Sequence, residues 1–188
     1  MSFRSLSVGL ALALLFAASA SKNAPAAELR PAAPLPAKVI ELAPGIRPLG
    51  KGRHTWFGVH IYDATLWVVG DRWIPDQPHA IDLESGRDVP ANTLVGAAID
   101  EMRKLKMGDE AQLKLWSEEM KRLLPPVRRG DQVVLFCSSG RTVIAFYNGQ
   151  ERGEINDPSF SSALFKVWLD PRARNPQLRK SLLSNERR

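Results

Sequence analysis

The spacing of apolar and polar side chains predicts β-structure in the first half of the chain. From residue 53 to residue 69, apolar side chains occupy both sets of alternating positions: Phe57, Val59, Ile61 and Trp67 in one set, and Tyr62, Ala64, Leu66 and Val68 in the other. A strand that is apolar on both faces is typical of a sheet with another layer packed on each side. Two shorter runs, 38–42 and 79–83, predict further strands.

Helical spacing replaces this alternation in the middle of the chain. Apolar side chains recur there every three or four residues in two stretches, first Leu94, Ala98, Met102 and Leu105, then Leu113, Trp116, Met120 and Leu123. The pair Pro125-Pro126 ends the second stretch, because proline cannot continue a helix. We therefore expect two consecutive amphipathic helices.

The last third of the chain returns to β-structure and then to helix. Two β-rich runs lie between residues 131 and 147, and Asn148-Gly149 supplies the positive φ angles of a tight hairpin turn before a returning run at 150–155. Asp157-Pro158 and Asn175-Pro176 predict the starts of two closing helices. This order of elements predicts an α+β fold.

The N-terminus has the layout of a secretory signal peptide. Arg4 precedes an apolar run at 8–18, and the small residues Ala18-Ser19-Ala20 follow with the spacing that signal peptidase accepts. We expect cleavage after Ala20, which would make the protein periplasmic or secreted and leave no integral membrane segment. An apolar run of this length reaches about half-way across a bilayer core, so it is too short for a permanent anchor.

Composition and charge divide the rest of the chain. Residues 21–37 are rich in alanine and proline and are predicted to be a linker, 38–184 the folded domain and 185–188 a basic tail. The formal net charge is +6 in 188 residues, but +5 of it lies from residue 172 onward, where Glu186 is opposed by Arg172, Arg174, Arg179, Lys180, Arg187 and Arg188. We therefore expect no basic surface elsewhere and no nucleic-acid partner. The oligomeric state is left open.

Recognisable catalytic and cofactor motifs are absent from the sequence, so we expect no cofactor. His54, His60 and His79 lack the spacing of metal ligands, so no metal site is expected. Cys137 lies within an apolar strand, where a buried thiol is inert.

Polar side chains interrupt the apolar run at 53–69. They are His60, Tyr62, Asp63 and Thr65. Because buried polar groups need partners, these side chains either pair within the fold or line a cavity that a ligand completes. A cavity with few polar groups suits a mostly apolar small molecule with one polar end.

A series of short strings follows in a fixed order along the chain. They are Pro48-Leu49-Gly50-Lys51-Gly52-Arg53, Val59-His60-Ile61-Tyr62-Asp63-Ala64-Thr65-Leu66-Trp67, Gly86-Arg87-Asp88, Ile99-Asp100-Glu101-Met102-Arg103, Gly130-Asp131, Asn148-Gly149, Gly153-Glu154-Ile155, Asp157-Pro158, Phe160 and Val167-Trp168-Leu169-Asp170-Pro171. In this order and spacing the sequence, from about residue 38 to residue 183, resembles the chalcone-isomerase-like family of exported bacterial proteins. The resemblance implies an open-faced sandwich, in which an antiparallel sheet packs against a layer of helices with a ligand cleft between them.

The resemblance also implies candidate ligand-binding residues. The plant enzymes of the family cyclise a chalcone with an arginine that stabilises an oxyanion, whereas other branches bind fatty acids through arginine and tyrosine. Arg53 falls nearest the family's cleft arginine, one residue closer to the preceding glycine than in the family, and Tyr62 replaces a strand threonine. The enzyme's helix tyrosine–asparagine pair has no equivalent at 92–102, so no catalytic residue is assigned.

Three hypotheses follow for the function. The first, which we favour, is a non-catalytic binder of a small apolar ligand such as a fatty acid, with Arg53 and Tyr62 at its polar end. The second is an isomerase, an intramolecular lyase acting on a chalcone-like enone. The third is a structural or partner-binding protein whose cleft is filled by its own side chains.

Overall fold

The sheet has six strands, each antiparallel to its neighbours and placed in the order in which they occur in the chain. A computed structural model describes residues 33–186. The strands are β1 Ile46–Trp56, β2 Val59–Val69, β3 His79–Ser85, β4 Gln132–Cys137, β5 Thr142–Tyr147 and β6 Gln150–Asn156; the helices are α1 Ala37–Leu42, α2 Ala91–Lys104, α3 Glu110–Leu123, α4 Pro158–Leu169 and α5 Pro176–Leu182.

Helices α2 to α5 cover one face of the sheet and α1 covers part of the other. The larger core cluster joins residues of α2 to α5 to side chains of the strands, among them Leu66 and Leu135. A smaller cluster packs Leu35, Val39 and Ala43 of the α1 region against the opposite sides of β3, β4 and β5. The predicted α+β fold, with an antiparallel sheet packed against a layer of helices, is confirmed.

Strand β2 is apolar on both faces, as predicted. Leu66 and Val68 belong to the core under the four helices, whereas Trp67 and Val69 pack against the smaller cluster on the opposite side. Because successive side chains of a strand point to opposite faces, this assignment also places Tyr62 and Ala64 on the helix side and Asp63 and Thr65 on the other side. The alternation is interrupted at Ile61 by a β-bulge.

Two predicted strands were wrong in their type or bounds. The run 38–42 is helix α1, with Val39 buried and Ile40 exposed, because a five-residue segment with three apolar side chains does not distinguish a strand from a helix. The run 53–69 is two strands joined at Phe57-Gly58, where both φ angles are positive. Strand β1 begins earlier than predicted, at Ile46.

The first half of β1 was not predicted as a strand because of its glycines. Gly50 lies against α5, and a Cβ atom there would stand 2.3 Å from the carbonyl oxygen of Ser181. Glycine is therefore needed for the close approach of the helix, although it lowers the β-propensity on which the prediction depended. Pro48 is tolerated because β1 is at the edge of the sheet.

Three helix boundaries follow the predicted signals, whereas α2 begins at Ala91, after Pro90, and not after a cap at Asn92. Helix α3 ends at Leu123, before the two prolines, and the side chains of Asp157 and Asn175 accept backbone N–H groups at the starts of α4 and α5. Asn148 and Gly149 have φ angles of 49° and 79°. The turn that the sequence predicted is therefore formed.

The predicted signal peptide at 1–20, most of the linker and the last two residues of the tail lie outside the described residues. Leu35, at the end of the predicted linker, is buried in the smaller core cluster. Among the helices of residues 33–186, none is long and apolar enough to span a bilayer.

Candidate ligand-binding site

A cavity of about 240 Å³ lies between the sheet and helices α2 to α5. Most of its wall is aliphatic, with Leu83 and Leu135 from the sheet and Leu94 and Met120 from the helices. Thr93 and Ala97 on α2 line the cavity and are exposed to solvent, so the cavity opens beside that helix. This is the sheet-to-helix cleft that the resemblance implied.

Tyr62 places a phenol in the wall of the cavity. Its hydroxyl accepts a hydrogen bond from Trp168 Nε1–H at 3.1 Å, which joins β2 to α4. Burial raises the pKa of Tyr62 to about 12, so the phenol is neutral at physiological pH. This hydrogen bond uses a lone pair of the Tyr62 hydroxyl oxygen and not its proton. The phenol proton can therefore be donated to a ligand.

His54 stands opposite Tyr62 on strand β1, and the two rings are 5.0 Å apart. Asn175 Oδ1 accepts the N–H of Leu178, which orients the amide so that its NH₂ group donates to His54 Nδ1 at 2.9 Å. Burial, followed by the charge of Arg174, lowers the pKa of His54. The imidazole is therefore neutral and carries its proton on Nε2, as a second donor.

Glu101 and Arg174 form a charged pair in the same wall. The Glu101 carboxylate is buried on α2; it accepts the backbone N–H of Arg174 at 2.7 Å and lies 3.1 Å from Arg174 Nε. Lys104 Nζ is 3.4 Å from the same carboxylate. This pair fixes the loop between α4 and α5, which also carries Asn175, against α2.

Arg53 lies on the opposite side of the sheet from the cavity. Its neighbours Gly52 and His54 face the helices, because a Cβ on Gly52 would meet Leu178 at 2.8 Å and His54 lines the cavity. Alternation along β1 therefore directs Arg53 away from the cavity. It donates two hydrogen bonds to Asp63, at 2.7 and 2.9 Å.

The Arg53–Asp63 pair is largely buried. Asp63 is 3% exposed and Arg53 is 22% exposed, and His60 Nε2 lies 3.1 Å from Asp63 Oδ1. The hydrogen bond to Asp63 raises the pKa of Arg53. Burial alone would raise the pKa of Asp63, but the bond and charge of Arg53 outweigh it and hold this pKa below its usual value.

Both alternatives predicted for the polar residues of β2 therefore occur: lining a cavity on the helix side of the sheet, and pairing within the fold on the opposite side. Tyr62 lines the cavity, whereas Asp63 and His60 pair within the fold. Of the two predicted ligand-binding residues, the structure brings Tyr62 to the cavity and keeps Arg53 bonded to Asp63 on the other face. Their roles in binding stay predictions.

Of the polar residues of the wall, sequence reasoning selected only Tyr62 as ligand-binding; among those that it missed are His54, Arg174 and Asn175. Alternation from Gly50 and Gly52 could have identified His54 as the residue facing the cleft, had β1 been recognised as a strand. Asn175 was recognised only as a helix start. Arg174 belongs to a loop, whose side-chain directions no periodicity predicts.

Comparison with known proteins identifies the family. The model of the chalcone isomerase-like family matches residues 50–184, and the chain therefore belongs to that family. The crystal structure of a fatty-acid binding protein of Arabidopsis thaliana has the same fold, with a TM-score of 0.63 and 13% sequence identity over 77% of this chain and 89% of the plant chain. No curated protein matches the sequence significantly.

The site is a hydrophobic cavity whose wall also holds the neutral donors Tyr62 and His54, the Glu101–Arg174 pair and the carboxylate of Asp131. Within residues 33–186, no three side chains of histidine, cysteine, aspartate or glutamate lie together as a metal site would require. Cys137 is buried, and its Sγ is 3.1 Å from Ser161 Oγ. The arrangement can hold an apolar body and bind one polar end.

Proposed function

We propose that the protein is an exported, non-catalytic binder of a small apolar molecule such as a fatty acid. The observation that carries this proposal is the cavity itself, whose wall is mostly aliphatic and holds the Tyr62 phenol, which has a proton to donate. The plant fatty-acid binding protein with the same fold supports this choice of ligand class. Export rests on the signal-like N-terminus.

The size of the cavity limits the ligand. Its volume of about 240 Å³ lies just below the roughly 300–1,000 Å³ typical of small-molecule pockets. A short or medium acyl chain suits this space better than a long one. Each buried methylene contributes about 0.8 kcal/mol before the costs of binding.

The polar end of the ligand would meet Tyr62 and His54. A neutral hydrogen bond contributes about 0.5–1.5 kcal/mol and one to a charged group about 1.5–3 kcal/mol. Arg174 is the arginine of this wall and is paired there with Glu101, whereas Arg53 is bonded to Asp63 on the other face. These bonds would orient the ligand, while the aliphatic wall supplies most of the affinity.

The isomerase alternative needs an arginine in the cleft to stabilise an oxyanion. The family-like candidate for that role, Arg53, faces away from the cavity, and the arginine of the wall, Arg174, is paired with Glu101; both observations favour binding without catalysis. The alternative of a cleft filled by the protein's own side chains needs an interior without room for a ligand. The volume of the cavity weighs against it.

The test begins with the protein purified from its native host. Mass spectrometry of an organic extract should find a co-purifying apolar molecule, and titration with fatty acids of increasing length should show saturable binding with an optimum at short or medium chains. N-terminal sequencing of the mature protein should begin at Ser21. Absence of both a co-purifying molecule and saturable binding would contradict the binding proposal.

Two matched variants separate binding in the cavity from adsorption to the surface. Ala97 and Ala111 are both exposed on helices, but only Ala97 belongs to the cavity wall. Ala97→Phe should narrow the opening and weaken binding about tenfold or more, a change of about 1.4 kcal/mol. Ala111→Phe should bind as the unmodified protein does. Equal binding by both variants would place the ligand elsewhere.

A further inference from the structure

The turn between β1 and β2 exposes three apolar side chains at its end. Trp56 is 52% exposed, Phe57 92% and Val59 49%. The rings of Trp56 and Phe57 contact each other edge to face, with centroids 5.2 Å apart. These three residues are called the aromatic tip below.

A second hairpin of the same sheet shows that the turn does not require Phe57. The turns Phe57-Gly58 and Asn148-Gly149 have nearly the same φ angles, 47° and 77° in the first and 49° and 79° in the second. Asparagine suits the first position, and Asn148 uses its side chain to bond Gln132 and Asp131. A bulky residue with positive φ is strained, so backbone geometry does not explain phenylalanine at position 57.

The aromatic tip extends the strands that line the cavity. His54 on β1 and Ile61 and Tyr62 on β2 belong to the cavity wall. At about 3.3 Å per residue, Phe57 stands about 10 Å beyond His54 along the strand. The tip therefore projects from the same end of the sheet as the polar groups of the site.

Charge around the tip suits a lipid surface. The end of the hairpin, from His54 to Tyr62, contains no aspartate or glutamate, and the Arg53–Asp63 pair next to it carries no net charge. A hairpin without carboxylates at its end is not repelled by anionic head groups. Tryptophan and other aromatic side chains are favoured where hydrocarbon meets head groups.

The tip is too small for a stable contact with another protein. Two partly exposed aromatic side chains, each of about 150–250 Å² when fully buried, and one valine supply less than the roughly 800 Å² per partner of a standard interface. Insertion into a bilayer needs no complementary surface. We propose that the aromatic tip docks the protein on phospholipid membranes and holds the end of the cavity at the bilayer surface.

Vesicle flotation tests this proposal without any ligand in the cavity. The probe is vesicles of phosphatidylcholine and phosphatidylglycerol in equal parts, mixed with the mature protein. The Phe57→Asn variant should bind these vesicles about tenfold less than the unmodified protein, because burying one phenylalanine side chain contributes enough for that factor. Asparagine fits the turn, so the variant should fold, and Trp56→Ser should show a similar loss.

Leu115→Ser is the matched control. Leu115 is 57% exposed on α3, away from the hairpin, so its loss removes surface hydrophobicity but leaves the tip intact. This variant should bind vesicles as before. Unchanged binding by the tip variants, equal losses in Leu115→Ser, or no binding by the unmodified protein would overturn membrane docking. A concentration-dependent dimer that Phe57→Asn abolishes would also overturn membrane docking, because the tip would then be a contact between protein molecules.

Membrane docking and the proposed ligand binding can be tested separately. Binding of a short fatty acid in solution, below its aggregation threshold, should be the same for Phe57→Asn as for the unmodified protein. Ala97→Phe should show the converse, with weakened ligand binding and normal vesicle binding. Failure of the docking proposal therefore leaves ligand binding standing, and failure of ligand binding leaves docking standing.

Discussion

Neighbouring residues of β1 and β2 face opposite sides of the sheet and are used differently. His54 and Tyr62 face the helices and present hydrogen-bond donors in the wall of a cavity. Arg53 and Asp63, one residue away on each strand, face the other side and bond each other. The polar groups on the cavity side have bonding capacity left for a ligand, whereas the carboxylate on the far side is satisfied by the protein itself.

This difference shows that the face of the strand on which an arginine lies decides whether it lines the cavity. A shift of one residue along a strand exchanges the two faces. Arg53 lies on the face away from the cavity and stabilises the sheet through Asp63, whereas Arg174 of the α4–α5 loop is the arginine of the cavity wall.

The largest effect is expected on the cavity side, from Trp168→Ala. Trp168 is 8% exposed, packs in the main core and donates to Tyr62. Its loss should lower the free energy of unfolding by roughly 3–5 kcal/mol, as for other large-to-small core substitutions. Denaturant unfolding measures this, and a loss below about 1 kcal/mol would mean that Trp168 does not anchor α4.

On the far side, Asp63→Asn should be the most damaging change. It leaves Arg53 without its carboxylate, and because Arg53 is 22% exposed the expected loss is about 2–3 kcal/mol, less than the roughly 3–5 kcal/mol of a fully buried pair. Ligand binding should not change, since Asp63 is outside the cavity wall.

The effect of Asp63→Asn on stability should decrease as the pH falls. The pKa of Asp63 is lowered in the folded protein, so its contribution is present above the ordinary carboxyl pKa and is lost as pH falls through the folded value. The stability difference between Asp63→Asn and the unmodified protein should therefore be full at pH 7 and shrink below about pH 4. A difference that stays constant down to the acid transition would contradict a role for the charge.

Much of this fold could be predicted from the sequence, and the failures have physical causes. The amphipathic helices, the Asn148-Gly149 hairpin and the caps at Asp157 and Asn175 depend on local signals that the structure reproduces. Strand β1 was not predicted in full because Gly50 and Gly52 lower its β-propensity. These glycines allow α5 to approach the strand closely, and such a tertiary contact leaves no local signal in the sequence.

The site was less predictable than the fold. Tyr62 could be selected as a polar residue in an apolar strand, because burial of such a group demands a partner. The side of the sheet that Arg53 faces depends on the register and bounds of β1, which the sequence pattern did not establish. Arg174 and Asn175 reach the cavity through a loop held by Glu101, a contact between residues far apart in the chain.

A second carboxylate on the far side should behave in the opposite way to Asp63. Asp82 on β3 is buried, and Gln132 Nε2 donates to it at 3.1 Å. Burial raises the pKa of Asp82 to about 6. The folded protein therefore binds this proton more tightly than the unfolded chain, and Asp82 lowers stability progressively as pH rises from about 4 to about 6.

Asp82→Asn should consequently stabilise the protein. The amide oxygen can still accept from Gln132, and the buried charge is removed, so the free energy of unfolding should rise by about 1–2 kcal/mol at pH 8. At pH 4 the gain should disappear. Thermal unfolding across this range would measure it, and a loss of stability at pH 8 would show that the Asp82 charge has a compensating partner.

The smallest effect is expected from the cavity side, for Tyr62→Phe. The substitution removes the donor to the ligand and the acceptor for Trp168 Nε1–H, at a stability cost of about 1 kcal/mol. Affinity for a fatty acid that fits the cavity should fall by up to about tenfold, the value of one hydrogen bond. Affinity for the alkane of the same length should not change, because the aliphatic wall is untouched.

Arg53→Gln is the companion measurement on the far side. If the comparison of the two faces is right, this variant loses stability through Asp63 but binds acid and alkane as the unmodified protein does. A loss of fatty-acid affinity in Arg53→Gln equal to that in Tyr62→Phe, with alkane affinity retained, would show that the guanidinium reaches the ligand after all. The assignment of the two faces would then need Arg53 to leave Asp63 when a carboxylate binds.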